Sequence, residues 1–211
     1  MPLLEKLQWR YATKKMDPSR AVPADKVERI IEAARLAPTS SGLQPYEIVL
    51  VTNPDVKKRI AEVAWNQQQV VDGSHLLVFA AWDDYTPERI NQMFDYTNEV
   101  RGFRNEGWEA YRQQLLASYP QRGAAVNFSH TARQAFLGLG AALIAAAFEE
   151  VDSVPMEGFD PAAVDDILGL HARGLKSVAM LPLGYRADEG DWLVDLPKVR
   201  RPRERFVTEV A

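Results

Sequence analysis

Positively charged residues near both ends of the chain are the first candidates for chemistry. In an extended segment, Arg10 and Lys14 place their side chains on the same side of the backbone, as does Ala12 between them. Near the other end, the segment 196–205 carries five basic residues. Aligned cations suit a phosphate or another anionic group. The alternatives are a solvated charged edge at the start and a solvated basic tail at the end.

Two further segments are rich in groups that can contact a ligand. Segment 37–46 holds hydroxyl groups, an amide and a glycine between two prolines, which could line a polyol or a phosphate. An ordinary loop between a helix and a strand is the alternative. In segment 153–160, Pro155 fixes one backbone angle and Gly158 permits close approach, so backbone N–H groups there could face a flat ring.

Several other kinds of chemistry are excluded by the residues themselves. The chain has no cysteine, which rules out a thiolate nucleophile, a disulfide scaffold, an iron–sulfur cluster and any cysteine-based zinc site. It also lacks a G-x-S-x-G nucleophile elbow, and its three histidines do not have metal-ligand spacing. Gly138-Leu139-Gly140 lies within a helical pattern, so it indicates helix packing rather than a dinucleotide loop.

Length and composition predict one globular domain. The 211 residues are 46% hydrophobic and 26% charged, with a formal net charge of −4. An acidic balance disfavours a general nucleic-acid binder. The start, Met1–Lys6, lacks the apolar stretch of a secretion signal, and the apolar run 135–148 is shorter than the roughly 20 residues of a membrane span. We therefore expect a cytoplasmic protein without a membrane anchor.

The elements that must position these residues follow from periodicity and from turn residues. An apolar stripe with helical spacing follows Pro23 and stops at Pro38. Further helices are expected from 54, from 87 to 101, from 106 to 119, from 127 to 150 and from 161 to 168, and strands at 47–52, 75–81 and 177–183. This order indicates an α+β fold. The helix over 127–150 is apolar nearly all round, as in the centre of a fold or in an interface. Residues 102–123 are predicted to form a variable, lid-like insertion.

Taken together, these segments resemble the FMN-dependent nitroreductase family, especially its branch of oxygen-insensitive NAD(P)H nitroreductases and dihydropteridine reductases. The match extends nearly end to end, and the order and spacing of its motifs carry it. The resemblance implies a central mixed sheet flanked by helices, in a single domain over 1–211. It also implies an intertwined homodimer with two FMN sites at the interface. The motifs are 10–14, 38–40, 44–46, Asn66, 72–75, 154–160 and 196–200.

The resemblance also implies a role for each segment. Arg10, Lys198 and Arg200 would hold the FMN phosphate, while Lys14 would lie at the pyrimidine edge and tune the flavin. Asn66 would bond the polar edge of the ring. Residues 38–40 would come from the other subunit, and 155–158 would line the ring, with a backbone N–H near Glu157 at N5. The implied cofactor-binding residues are Arg10, Tyr11, Ala12, Lys14, Pro38, Thr39, Ser40, Gly42, Asn66, Gln69, Pro155, Met156, Glu157, Gly158, Lys198 and Arg200.

Four positions depart from the residues common in this branch. Ala12 replaces a serine, Gly42 an asparagine, Tyr46 a tryptophan and Gln69 a lysine. The change at position 12 removes a hydroxyl group, so only the backbone can serve there. The change at position 69 removes a cation expected at the mouth of the site.

By the same resemblance, the chemistry is ping-pong hydride transfer through flavin N5. NAD(P)H is the reductant, and a nitroaromatic, a quinone or a similar flat electrophile is the acceptor. No side chain acts as a covalent nucleophile, because the flavin carries the reaction. The alternatives are another reaction on the same scaffold (dehalogenation, flavin degradation or enone reduction) and a non-catalytic flavin-binding protein.

Overall fold

A central antiparallel sheet with helices packed around it forms the fold of this chain, in a computed structural model that describes residues 3–210. Met1, Pro2 and Ala211, within the predicted bounds of the domain, lie outside the described residues. The strands are β1 (Tyr46–Val51), β2 (His75–Trp82), β3 (Asp152–Ser153) and β4 (Leu175–Gly184). The helices are α1 (Leu3–Trp9), α2 (Ala24–Arg35), α3 (Pro54–Glu62), α4 (Gln68–Asp72), α5 (Pro87–Arg101), α6 (Glu106–Ser118), α7 (Ala124–Phe148), α8 (Pro161–Leu168) and α9 (Arg203–Phe206).

The strand order is β1-β2-β4-β3, and every pairing among the described residues is antiparallel. The predicted α+β fold with a central sheet is confirmed, but the sheet is not mixed within this chain. β3 runs in the same direction as β2, but β4 lies between them, so no two neighbouring strands are parallel. The segment between β1 and β2 starts after Val51, which pairs with Leu76, and the segment between β2 and β4 returns to pair Leu175 with Trp82.

Local capping explains why the predicted helices begin where they do. The side chain of Asn53 accepts hydrogen bonds from the N–H groups of Asp55 and Val56 at 2.9 and 3.2 Å, and a proline occupies the first turn of α3. Thr86 and Asp160 cap α5 and α8 in the same way, each again followed by proline. Such side chains satisfy N–H groups that have no partner within the helix. The short elements α1, α4, β3 and α9 were not predicted.

Helix α7 is the central helix that the sequence predicts. It packs against α2 and the sheet, where Ala135, Leu139, Ala142 and Ala146 are buried in the main core. Among residues 3–210, it is the one helix long and apolar enough to span a membrane by length and composition alone. Because its inner face packs on the sheet and α2, it has the packing of a core helix.

Gly138 sets how closely α7 approaches the sheet. A β-carbon at this position would lie 2.2 Å from the hydroxyl oxygen of Tyr46, a residue of β1. That hydroxyl donates to the carbonyl oxygen of Ala34 at 2.6 Å, so the ring is held on α2 as well. Only glycine, which has no side chain, allows α7, β1 and α2 to pack together at this point.

We expect Gly138→Ala to lower the free energy of unfolding by about 1–3 kcal/mol, because the added methyl group must displace a hydrogen-bonded tyrosine. Urea denaturation would measure the change. Gly140→Ala is the matched control on the same helix, since a β-carbon there meets nothing within 4 Å. A Gly138→Ala variant as stable as the wild type would contradict this packing.

The predicted insertion over 102–123 contains helix α6, which packs on α5. The ring of Trp108 stacks on Phe94 with centroids 4.4 Å apart and planes 25° apart. The hydroxyl groups of Tyr111 and Ser41 form a hydrogen bond of 2.7 Å. The insertion is therefore attached both to its neighbouring helix and to the turn before β1.

Candidate functional site

A cavity of about 490 Å³ lies where the two ends of the chain meet. One wall comes from the end of α1 and the segment after it, and the other from the segment between β4 and α9. Pro155 and Arg186 complete the lining. The residues around it are Gln8, Trp9, Arg10, Tyr11, Ala12, Pro155, Arg186, Leu193, Val194, Leu196, Pro197, Lys198, Val199 and Arg200.

Three cations of this lining, Arg10, Lys198 and Arg200, lie close together. Burial and the charge of Arg200 lower the pKa of Arg10. Burial, with the charges of Arg10 and Arg200, lowers the pKa of Lys198. Within residues 3–210, no carboxylate forms an ion pair with any of the three. The cluster thus has more positive charge than the chain itself neutralises.

Unused hydrogen-bonding capacity accompanies this charge. The Nε–H of Arg10 is buried and has no partner. Lys198 donates from Nζ to the carbonyl oxygens of Leu7 and Arg10, which brings the C-terminal segment against the end of α1. A buried donor without an acceptor is costly unless a ligand completes it. A phosphate group would supply both the missing acceptor and the missing negative charge.

Two carboxylates that were not predicted hold the segment 10–14 against this cavity. Asp152 accepts from the hydroxyl of Thr13 at 3.1 Å and binds the guanidinium of Arg186 through both oxygens. Asp191 accepts from the hydroxyl of Tyr11 at 2.8 Å and from the N–H of Lys14 at 2.8 Å. Burial and this bond to Asp191 raise the pKa of Tyr11 to about 12.

Arg186 adds a stacking contact to this arrangement. Its guanidinium lies 4.6 Å from the ring centroids of both Trp9 and Tyr11. A planar guanidinium can stack on aromatic faces while it binds a carboxylate, here Asp152. The segment after α1 is therefore held by stacking as well as by hydrogen bonds. Arg186 was not among the residues predicted for the site.

Of the segment 155–158, Pro155 lines this cavity, whereas Glu157 lines a different one beside Phe128 and Phe136. Contacts with β4 and with the turn before α4 hold the segment. Met156 pairs with Met180 through two backbone hydrogen bonds of 2.9 Å. The carbonyl oxygen of Gly158 accepts from the side-chain amide of Gln67 at 2.8 Å. A β-carbon at Gly158 would lie 2.5 Å from the ring of Trp65, so that ring covers the glycine.

Asn66 and Gln69 lie on either side of Gln67. Asn66 is exposed and has a φ of +52°, and its N–H donates to the carbonyl oxygen of Ala61 at 2.9 Å. Gln69 is buried, and its amide donates to the carbonyl oxygen of Thr13 at 3.2 Å. The amide of Gln69 thus contacts the segment 10–14 directly, whereas Asn66 precedes Gln67, the residue that binds Gly158.

Pro38, Thr39, Ser40 and Gly42 lie elsewhere in this chain. They precede β1, whose first residue pairs with Ala81, whereas the cavity lies beyond the end where His75 pairs with Leu183. At about 3.4 Å per residue, those two pairs are roughly 20 Å apart along β2. The hydroxyl of Thr39 accepts from the N–H of Gln44 at 3.0 Å, and the side chain of Gln134 accepts from the N–H of Ser40 at 2.8 Å. The chain does not bring these four residues to the cavity.

The family model described as the nitroreductase family matches residues 7–185, which is most of the chain. The chain belongs to the nitroreductase family. The predicted family and the prediction of an oxidoreductase are confirmed by this match. The matched range includes segments 10–14 and 155–158, and it ends before Lys198 and Arg200.

Curated relatives of this nitroreductase-family chain cover nearly its whole length. An oxygen-insensitive NAD(P)H nitroreductase of Salmonella typhimurium is 30% identical over 95% of this chain and 96% of its own. The major NAD(P)H-flavin oxidoreductase of Aliivibrio fischeri is 29% identical over 98% of each. Among solved structures, a protein of Exiguobacterium sibiricum in complex with FMN has a TM-score of 0.82 and 19% identity, and the match covers 100% of this chain and 98% of that one. That last likeness confirms the fold.

Proposed function

We propose that this protein is an FMN-dependent NAD(P)H oxidoreductase that reduces flat electrophiles such as nitroaromatics and quinones. The observation that carries the proposal is the cluster of Arg10, Lys198 and Arg200, whose charge and buried Nε–H fit a phosphate group. The names of the relatives from S. typhimurium and A. fischeri support the same activity.

Bound FMN would supply a hydride acceptor that passes electrons from a nicotinamide to a second substrate. The chain's own residues bind and orient it. Arg10, Lys198 and Arg200 would hold the phosphate, while Lys14 would place a positive charge at the ring, where reduction adds negative charge. Tyr11 and Ala12 line the cavity, and Lys14 follows them in the chain with its N–H bound to Asp191.

The remaining predicted residues would orient the ring. Asn66 would bond its polar edge, and Pro155, Met156, Glu157 and Gly158 would pack along it. Gln69 would act through Thr13, whose carbonyl it binds. We assign no covalent nucleophile, since hydride transfer through a flavin needs none.

The site is completed, in this proposal, by a second copy of the chain. Pro38, Thr39, Ser40 and Gly42 lie too far from the cavity to contact one FMN with Arg10 of the same chain. Helix α7 meanwhile exposes an apolar face on which Leu137, Ile144 and Phe148 are 50%, 40% and 46% exposed. An exposed apolar stripe on a core helix is typical of a subunit interface. We infer a cytoplasmic homodimer in which each subunit contributes residues 38–42 to its partner's site.

The first experiment is an absorbance spectrum of the purified protein, followed by anaerobic addition of NADH and then NADPH. We expect flavin bands that bleach with one or both nucleotides and return when a quinone is added. The nucleotide that bleaches faster would establish the preferred reductant. Protein that stays colourless after incubation with FMN would contradict the proposal, and flavin lost during turnover would indicate flavin degradation instead.

A further inference from the structure

Asp191 is a buried carboxylate that joins the two ends of the chain beside the cavity. It is 7% exposed and lies between β4 and Lys198. Its Oδ2 accepts from the hydroxyl of Tyr11 and the N–H of Lys14, both at 2.8 Å, and its Oδ1 accepts from the N–H of Leu193 at 2.9 Å. One oxygen therefore binds the N-terminal segment, and the other binds the C-terminal segment.

The C-terminal segment is attached to the N-terminal segment at a second point, Lys198. Its ammonium group donates to the carbonyl oxygens of Leu7 and Arg10. Between the two attachments, Leu193, Val194, Leu196 and Pro197 line the cavity. Two charged side chains thus attach one wall of the cavity to the other. Lys198 lines the cavity, whereas Asp191 does not.

The charge of Asp191 is maintained by its donors. Burial alone would raise the pKa of this carboxyl group, but the N–H groups of Leu193 and Lys14 and the hydroxyl of Tyr11 hold it below its ordinary value. The group is therefore an acceptor at neutral pH. Its oxygens accept hydrogen bonds from two backbone N–H groups and a tyrosine hydroxyl rather than from the cations of the cavity. Those cations are therefore available to bind a ligand.

We propose that Asp191 is a positioning residue for the flavin, which fixes the distance between Lys14 and the phosphate-binding cations of the C-terminal segment, Lys198 and Arg200. This inference rests on the proposed function. Lys198 and Arg200 belong to one segment and Lys14 to the other, so a single FMN molecule can engage both ends only when the two segments keep a set spacing. Asp191 bonds the backbone of Lys14 directly, whereas Lys198 reaches the same segment at Leu7 and Arg10.

Asp191→Asn tests the assignment, with Asp195→Asn as the matched control because it removes the same charge from an exposed position of the same segment. Dissociation constants for FMN and for riboflavin, which lacks the phosphate, would be measured by flavin fluorescence on apoprotein. We expect Asp191→Asn to weaken FMN by about tenfold, the loss of one charge-assisted hydrogen bond, and to weaken riboflavin much less. Asp195→Asn is expected to change neither constant.

The ratio of the two constants separates positioning from general destabilisation. A merely structural role would weaken both ligands equally, so an unchanged ratio in a folded Asp191→Asn variant would overturn the inference. Wild-type protein that binds no FMN would instead overturn the proposed function and the inference with it.

If Asp191→Asn does not fold, Tyr11→Phe serves as the second variant, because it removes one donor and keeps the ring on Arg186. We expect it to shift the ratio in the same direction, by a few-fold.

Discussion

Arg10→Ala is expected to weaken FMN binding by about 10- to 100-fold. A hydrogen bond to a charged group contributes about 1.5–3 kcal/mol, and each 1.4 kcal/mol corresponds to about a factor of ten in the dissociation constant. Arg10 has the buried, unpartnered Nε–H of the cluster, so its loss removes a donor that no other residue replaces. Fluorescence titration of the apoprotein with FMN would measure the change.

The same substitution should affect the apoprotein much less than the complex. Arg200 disfavours the charge of Arg10, and Arg10 disfavours that of Lys198, so removal of Arg10 relieves this repulsion. We therefore expect the thermal midpoint of the apoprotein to change little, while the stabilisation gained on adding FMN falls. Arg201→Ala is the control, because this neighbouring arginine is exposed and lies outside the cavity lining. Equal FMN affinity in Arg10→Ala and Arg201→Ala would contradict the phosphate assignment.

Ile144→Glu is expected to convert the proposed homodimer into a monomer and to abolish FMN retention. Ile144 lies on the exposed apolar face of α7, so the substitution has little to disturb within one chain. In a dimer that buries this face, an unpaired carboxylate costs about 3 kcal/mol or more, which weakens association by about 100-fold or more. Sedimentation velocity at micromolar concentration would give the mass, and the flavin absorbance of the purified protein would give its occupancy.

Val100→Glu provides the control for adding a carboxylate to an exposed apolar helix position. Val100 is 67% exposed on α5 and does not belong to the α7 face. We expect this variant to remain dimeric and yellow. A dimeric Ile144→Glu variant would show that the subunits meet elsewhere, and a monomeric variant that retains FMN would contradict the contribution of residues 38–42 from a partner.

The positions of most helices and strands could be predicted because their signals are local. The caps at Asn53, Thr86 and Asp160 satisfy N–H groups within three residues of themselves, so sequence neighbours decide where each helix begins. The apolar strands at 75–81 and 177–183 are similarly set by their composition. The short elements α4 and β3 have no such signal, since tertiary contacts alone stabilise them.

Family resemblance and residue type together indicated the cations of the site, but not what holds them in place. Arg10 and Lys198 were predicted to share one phosphate, and the structure brings them into one cavity. Asp152 and Asp191 were not predicted, because an aspartate that accepts from backbone N–H groups looks in sequence like any exposed acid. Gln69, expected at the mouth of the site, is buried behind Thr13.

The helices, the main strands and the types of charge available for a ligand thus follow from local sequence. Which of these charges are compensated depends on how the chain packs. Asp191 lies 177 residues from Lys14 and 180 from Tyr11, and only the packing of β4 beside the N-terminal segment brings their donors to its oxygens. A hydrogen bond requires its two atoms to lie about 3 Å apart, so residues distant in sequence form one only when the fold brings them together. Helix caps and apolar periodicity involve residues that are already neighbours along the chain.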